Sequence, residues 1–436
     1  MALLTAVLVA WSGPASAQAP ALSDTLQPGS LLERLQREDR SFYSDEIVEL
    51  DRALADSGLA TLDSLGFEAF ERETLKGARR SGLSFGFATE LGLYNRVEGG
   101  IAGAGMRLRV PVATGPELRL QGGYASGPRK FRHYESLRVP LSLRYHAPAV
   151  EAGYADRAVR YYADEGGEDL LTAFFGSDAE ENYLHRRGGW LAFSWEGSPV
   201  GRWSLRAEAA KEDTVRRRTD YGLFGGKRDM SPNLPVDEGR DRAIEGAWAL
   251  GSVLSGRQQI ALRHRVAGGM LGGDFAYSRF AATVSARRFL PWNHEAILDL
   301  THVRVGGRPP EQRLADLGGL GTVRGFLPRS RVGTESLRAR LEVQVPYDVF
   351  KRARVPLLRK AGLQLVPWAD AGRTWGEDPA SGDGSGTWLT SAGLGVQKLL
   401  GPFGEASFLR LDVAVPMGPE RPDDVRAYLY FARGLF

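Results

Sequence analysis

Apolar and polar residues alternate with a period of two over most of this chain, from Gly82 to its end. The clearest segment follows a glycine-rich loop. In it Leu337, Ala339, Leu341, Val343 and Val345 share one face, and Arg338, Arg340, Glu342 and Gln344 share the other. Successive side chains of a strand point to opposite faces, so each such segment reads as a strand with one apolar and one polar side. The same pattern recurs upstream: Leu83, Phe85, Phe87, Leu91 and Leu93 against Ser84, Gly86, Ala88 and Glu90, Met106, Leu108 and Val110 against Arg107 and Arg109, Leu118, Leu120 and Tyr124 against Arg119 and Gln121. Leu137–Leu143, 149–162, Leu191–Trp195, Trp203–Ala207, Ile244–Leu250, Ile260–Val266, Phe280–Ala286 and Ala296–Leu300 continue it. After the strand at Leu337, Gly362–Trp375, Trp388–Leu399, Phe408–Val415 and Arg426–Phe436 bring the total to about sixteen.

The breaks between these segments alternate in length. Val112–Gly115, Ala147–Pro148, Gly197–Gly201 and Ser255–Arg257 are short, whereas Ala163–Arg186, Asp213–Arg242 and Gly306–Glu335 are long. An even number of half-apolar strands with short turns at one end and long loops at the other fits an antiparallel transmembrane β-barrel. Hydrocarbon offers backbone amides no partner, so such a sheet has to close on itself. The span 347–360 is an exception, too long for a simple turn on the short-turn side. The expected fold class is therefore all-β, a barrel of about sixteen strands occupying residues 81–436.

Composition narrows the picture without changing it. The chain is 43% hydrophobic and 25% charged, with a mean hydropathy of −0.27, and no apolar run beyond the amino terminus could form a membrane-spanning helix. A net charge of +3, with no basic block or aromatic platform, argues against a nucleic-acid partner. Residues 1–17 read as a secretory signal peptide: Ala2–Trp11 is an apolar core and Ala15-Ser16-Ala17 a cleavage site, although no Lys or Arg precedes the core. An exported chain without cysteine is held by no disulfide. Residues 18–80 read as a linker followed by a short helical periplasmic segment. Ser44 is placed as an N-cap, Ile47, Val48, Leu50 and Leu54 share a face, and Lys76, Arg79 and Arg80 form a basic end before Gly82.

Two motifs carry a resemblance. Val323-Arg324-Gly325-Phe326 follows Gly318, Gly319 and Gly321, and the next strand has the form S-L-x-x-x-x-E-x-x-x-P. Downstream, Trp368-Ala369-Asp370-Ala371-Gly372 has the form aromatic-x-Asp-x-Gly. In this order the motifs resemble the bacterial surface-antigen superfamily, the BamA/TamA-type barrels of the bacterial outer membrane, from about Leu314 to Phe436. The resemblance implies that the VRGF loop folds back into the lumen and that Arg324 meets Glu342 and Asp370. By alternation Glu342 and Asp370 both point inward. It also implies partners: outer-membrane lipid, unfolded outer-membrane or exported proteins, and a separate periplasmic partner. The better-known members carry POTRA repeats ahead of the barrel; residues 18–80 are shorter than one repeat and show no strand pattern, so the expectation is a barrel without them. The end of the chain, with Tyr428, Tyr430 and Phe436, resembles the carboxy-terminal signal by which such barrels are recognised for insertion.

Candidate chemistry elsewhere is sparse. Ser385 in Gly382–Gly386 is offset from a nucleophile elbow, and Gly222–Lys227 lacks the spacing and the Ser/Thr of a phosphate loop. His133, His146, His185, His264, His294 and His302 show no paired ligand spacing, so neither a metal, a cofactor nor an enzyme activity is expected. Two function classes follow. One is an outer-membrane protein assembly or translocation barrel with the VRGF loop latched by Arg324 to Glu342 and Asp370. The alternative is a passive, anion-favouring pore or structural outer-membrane protein, suggested by Arg107, Arg109, Arg119, Arg138, Arg144, Arg338 and Arg340 on the lumen face.

Overall fold

A computed structural model describes the chain from Gly82 to Arg433, apart from residues 88–90, 92–93, 111–114, 143–147, 162–181, 197–200, 219–220, 223–225, 228–232, 252–257, 346–353, 356–362, 377–386, 401–406, 419–421 and 423. The expected signal peptide, linker and helical segment, and Phe436, lie outside the described residues.

Among the described residues sixteen long strands follow one another in a single antiparallel sheet, each paired with its neighbours in sequence, and a two-residue strand, Tyr94–Asn95, pairs with the second of them. They are β1 (Gly82–Phe87), β2 (Gly99–Arg109), β3 (Glu117–Ala125), β4 (Lys130–Pro140), β5 (Ala149–Arg160), β6 (Tyr183–Trp195), β7 (Arg202–Thr214) and β8 (Gly239–Gly251). The second half comprises β9 (Gln258–Ala267), β10 (Ala276–Phe289), β11 (Glu295–Arg308), β12 (Glu335–Gln344), β13 (Leu363–Trp375), β14 (Leu389–Leu400), β15 (Ser407–Met417) and β16 (Arg426–Arg433). Ladders run without interruption from β1–β2 to β15–β16.

The alternation read from the sequence sets the two faces. Phe85, Phe131, Leu191, Leu205, Ile260, Leu341, Leu394 and Val413 are exposed on the outside, as the wall of a barrel in lipid requires. At the short-turn end Trp195, Trp203 and Trp292 are exposed, and Trp203 lies 6.2 Å from Trp248. Amphipathic rings favour the boundary between hydrocarbon and water, so this cluster marks one membrane interface. The inner face is polar and buried: Ser136, Glu212, Asp241, Arg265, Thr301, Ser336, Asp370, Arg410 and Asp412 are shielded from solvent.

Several strands are longer than their apolar alternation. β6 begins at Tyr183 and β8 at Gly239, each several residues before the first lipid-facing residue of the pattern. Toward the long-loop end the outer face no longer meets hydrocarbon, so the periodic signal fades while backbone pairing continues, as in Arg186↔Glu212 and Arg240↔Lys211.

Candidate functional site: a loop seated in the lumen

The segment 309–334, between β11 and β12, returns into the barrel. It begins with a 3-10 turn at Glu311–Arg313, and Ala315–Leu317 pairs antiparallel with Arg331–Gly333. Between these short strands the tip closes on itself. The amide of Gly319 donates to Phe326 O at 2.9 Å, and Thr322 Oγ1 both accepts from Gly318 N and donates to Gly318 O, each at 2.7 Å. Gly318 has φ +116°, and a Cβ there would lie 1.9 Å from Leu327 O; only glycine fits.

Apolar residues hold the tip against the wall. Leu317, Val323 and Phe326 pack with Leu389 of β14, Leu320 packs with Trp368, Ala414, Tyr428 and Tyr430, and Ala315 packs with Val303 and Val305. The wall makes room at Gly372, where a Cβ would come within 2.8 Å of Leu317 Cδ1 and 3.0 Å of Val323 Cγ2. Arg338 and Arg340 of β12 donate to loop carbonyls, Arg338 to Gly321 O, and Arg340 to Leu320 O at 3.1 Å and Thr322 O at 3.3 Å.

At the centre is Arg324, with no exposed surface. Its guanidinium grips Asp370 with two bonds, Nε to Oδ2 at 2.8 Å and Nη2 to Oδ1 at 2.9 Å. This is the planar fork that arginine offers a carboxylate. Nη1 reaches Asp412 Oδ2 at 2.7 Å and Glu342 Oε1 at 3.0 Å, and the backbone amide of Arg324 also donates to Asp370 at 3.1 Å. The guanidinium lies 3.7 Å from the centroid of the Trp368 ring, and Gly393 leaves room for that ring, since a Cβ there would be 2.3 Å from Trp368 Cζ2. Burial opposes the charge of Arg324, but the hydrogen bonds and charge of Asp370, with that of Glu342, outweigh it and hold the guanidinium well above its ordinary pKa.

Charge balances in this cluster. Arg410 donates to Asp412 Oδ1 and to Glu342 Oε2, both at 2.7 Å, and Arg340 Nε stands 3.4 Å from Asp370 Oδ1. Three arginines thus face three carboxylates, the arrangement under which buried ions are tolerated. Tyr430 donates to Asp412 Oδ2 at 2.8 Å, and Gly325 N donates to Tyr428 OH at 3.0 Å.

The loop is also pinned where it enters, on the opposite stretch of wall. Gln312 Nε2 donates to Glu212 Oε2 of β7 at 3.0 Å and to Asp237 O at 2.9 Å, and Gln312 Oε1 accepts from Asp237 N at 3.1 Å. Arg313 pairs with Glu212 and with Asp241 of β8 at 3.2 Å, and its Nε donates to Tyr277 OH of β10 at 3.1 Å.

The structure thus brings Arg324, Glu342, Asp370, Val323, Gly325, Phe326, Trp368 and Gly372 into one site. Tyr428 and Tyr430, expected from the sequence as part of a terminal signal, point inward and touch this site. Sequence reasoning missed Asp412 and Arg410. Their alternation with Leu411 and Val413 marks them as inward-facing, but nothing along the chain says that β15 lies beside the VRGF loop. It also missed the entry anchor, because Glu212, Asp241 and Tyr277 come from three strands with no shared motif.

No protein-family model and no curated protein matches the chain. Among solved structures, BamA from Haemophilus ducreyi lacking POTRA domains 1–3 is similar over 84% of this chain and 77% of that one, at 13% identity and a TM-score of 0.55. CdiB from Escherichia coli aligns over 82% of this chain and 68% of its own at 12% identity and a TM-score of 0.46. The outer membrane protein OpdK from Pseudomonas aeruginosa aligns over 77% and 94% at 13% identity and a TM-score of 0.38. The fold is that of a BamA-type barrel, an architecture of the bacterial outer membrane.

Proposed function

We propose that this outer-membrane barrel serves the assembly or translocation of other proteins, and that the VRGF loop, latched by Arg324, is the part it uses. The observation that carries this reading is the insertion of one loop arginine among three wall carboxylates from β12, β13 and β15. An idle structural barrel gains nothing from so costly a desolvation. A loop that has to be held in one position against the wall that clients would meet does gain from it, since buried ionic groups fix one arrangement over its neighbours. The BamA-like fold supports the same reading. Clients would be unfolded outer-membrane or exported chains, delivered with the help of a separate periplasmic partner.

The pore reading starts from arginines on the lumen face. Two of them, Arg338 and Arg340, are engaged by loop carbonyls, which weighs against their lining an open aqueous path.

The deciding experiment measures how fast a test outer-membrane barrel folds into liposomes with and without this protein already inserted. Acceleration by the wild type that disappears in a normally folded Arg324→Ala variant is expected. No acceleration, together with steady anion-selective current in planar bilayers, would replace this reading with the pore.

A further inference from the structure

A cavity of about 340 Å³ lies inside the barrel between the entry of the loop and the wall from β4 to β10. Its size falls in the range of small-molecule sites. Its chemistry is one-sided. Arg157, Arg186, Arg206, Arg265, Arg279 and Arg313 all line it. Among the described residues that line or back it, the carboxylates are fewer: Glu208, Glu245, Glu212 and Asp241.

Those carboxylates are used up in rigid pairs that hold the arginines in place. Arg265 is fixed by Asp241 at 2.7 Å, by Glu208 at 3.3 Å and by Tyr277 OH at 2.9 Å; Arg186 lies 2.8 Å from Glu208. Aromatic rings position two more, Arg206 over Trp190 at 4.7 Å and Arg157 over Tyr134 at 5.3 Å. The Nε groups of Arg206 and Arg279 are buried and make no hydrogen bond, that of Arg206 standing 3.6 Å from Glu208 Oε2. A buried donor without a partner is unfavourable, and guanidinium groups crowded in a partly dehydrated lumen repel one another. The repulsion falls when an anion with several oxygens enters.

We infer that this cavity is a binding site for a small, soluble, multivalent oxyanion, one bearing two or more phosphate or carboxylate groups. One such ligand spans donors on several walls, and Arg313 makes the base of the VRGF loop part of its shell. The site is enclosed by strands, which favours a soluble ligand over a lipid headgroup whose acyl chains would have to follow it into the lumen. It does not depend on the assembly reading.

The test is calorimetric titration of the full-length protein, folded in detergent, with pyrophosphate and separately with citrate, at an ionic strength fixed with sodium chloride. Saturable binding of at least one probe is expected. In the double variant Arg206→Gln/Arg279→Gln it should weaken about ten- to a hundredfold, as for the loss of one or two charge-assisted hydrogen bonds. Arg119→Gln, a lumen arginine of β3 outside the cavity, should bind as wild type. Folding of each variant is checked by its heat-dependent migration in detergent gels, and Arg279→Gln alone replaces the double variant if that one does not fold. Saturation by pyrophosphate marks a phosphate preference, and by citrate alone a carboxylate preference; either supports the site. Binding of neither probe, binding undiminished in the cavity variants, or an equal loss in Arg119→Gln would overturn it.

Discussion

Replacing Arg324 by alanine removes the forked pair with Asp370, the bonds to Asp412 and Glu342 and the stacking on Trp368, while leaving the backbone bond from residue 324 to Asp370. Breaking a buried ion pair by deleting one partner costs about 3–5 kcal/mol. Here each orphaned carboxylate keeps another arginine: Arg340 beside Asp370, and Arg410 beside Asp412 and Glu342. That places the loss at the lower end, about 3 kcal/mol, which is roughly a hundredfold in the balance between seated and released loop. Because the sheet itself loses no ladder, the barrel should stay folded while the tip comes away. Hydrogen exchange of the peptide covering Gly318–Leu327, in detergent or liposomes, reads that balance directly. Exchange about a hundredfold faster at the tip, with the strands unchanged, is expected. Arg324→Lys should fall between, since an ammonium keeps the charge but loses the fork. Tip protection equal to wild type in a folded Arg324→Ala variant would refute the latch, and would assign the loop's position to its apolar contacts alone.

Three further outcomes follow from the same geometry. Gly372→Val should unseat the tip without touching a charge, because its side chain would occupy the space of Leu317 and Val323; raised protease cleavage within the loop is the readout. Tyr428→Phe removes the bond donated by Gly325 N and should cost about 1 kcal/mol, visible as a roughly fivefold rise in tip exchange. Leu394→Arg puts a charge on the outer face of β14, where Leu394 is exposed, and should lower the stability of the barrel in liposomes by about 2–4 kcal/mol, measured by denaturant titration of refolding.

The wall was readable along the chain. A period of two fixes which residues face lipid and which face the lumen, so the sixteen strands, the alternation of short and long connections and the inward direction of Glu342 and Asp370 were all legible along the chain. The VRGF and Trp368–Gly372 motifs even named most members of the arginine site. Strand ends were less legible: beyond the hydrocarbon the outer face of β6 and β8 turns polar while pairing continues, so the periodicity stops before the strand does.

Which inward-facing groups meet depends on the folded chain. Asp412 and Arg410 stand 88 and 86 residues after Arg324 along the chain, yet Asp412 shares its guanidinium and Arg410 shares the same carboxylates. The path of the loop across the lumen and the stagger of neighbouring strands set those distances, and neither leaves a mark in local pattern. Tyr428 and Tyr430 illustrate the limit from the other side. Alternation placed them together on one face, but only the folded arrangement around the loop turned that face into part of the site. The arginine cavity is of the same kind: its side chains come from seven strands and a loop, so its charge excess arises from convergence in space and is invisible in a chain whose net charge is only +3.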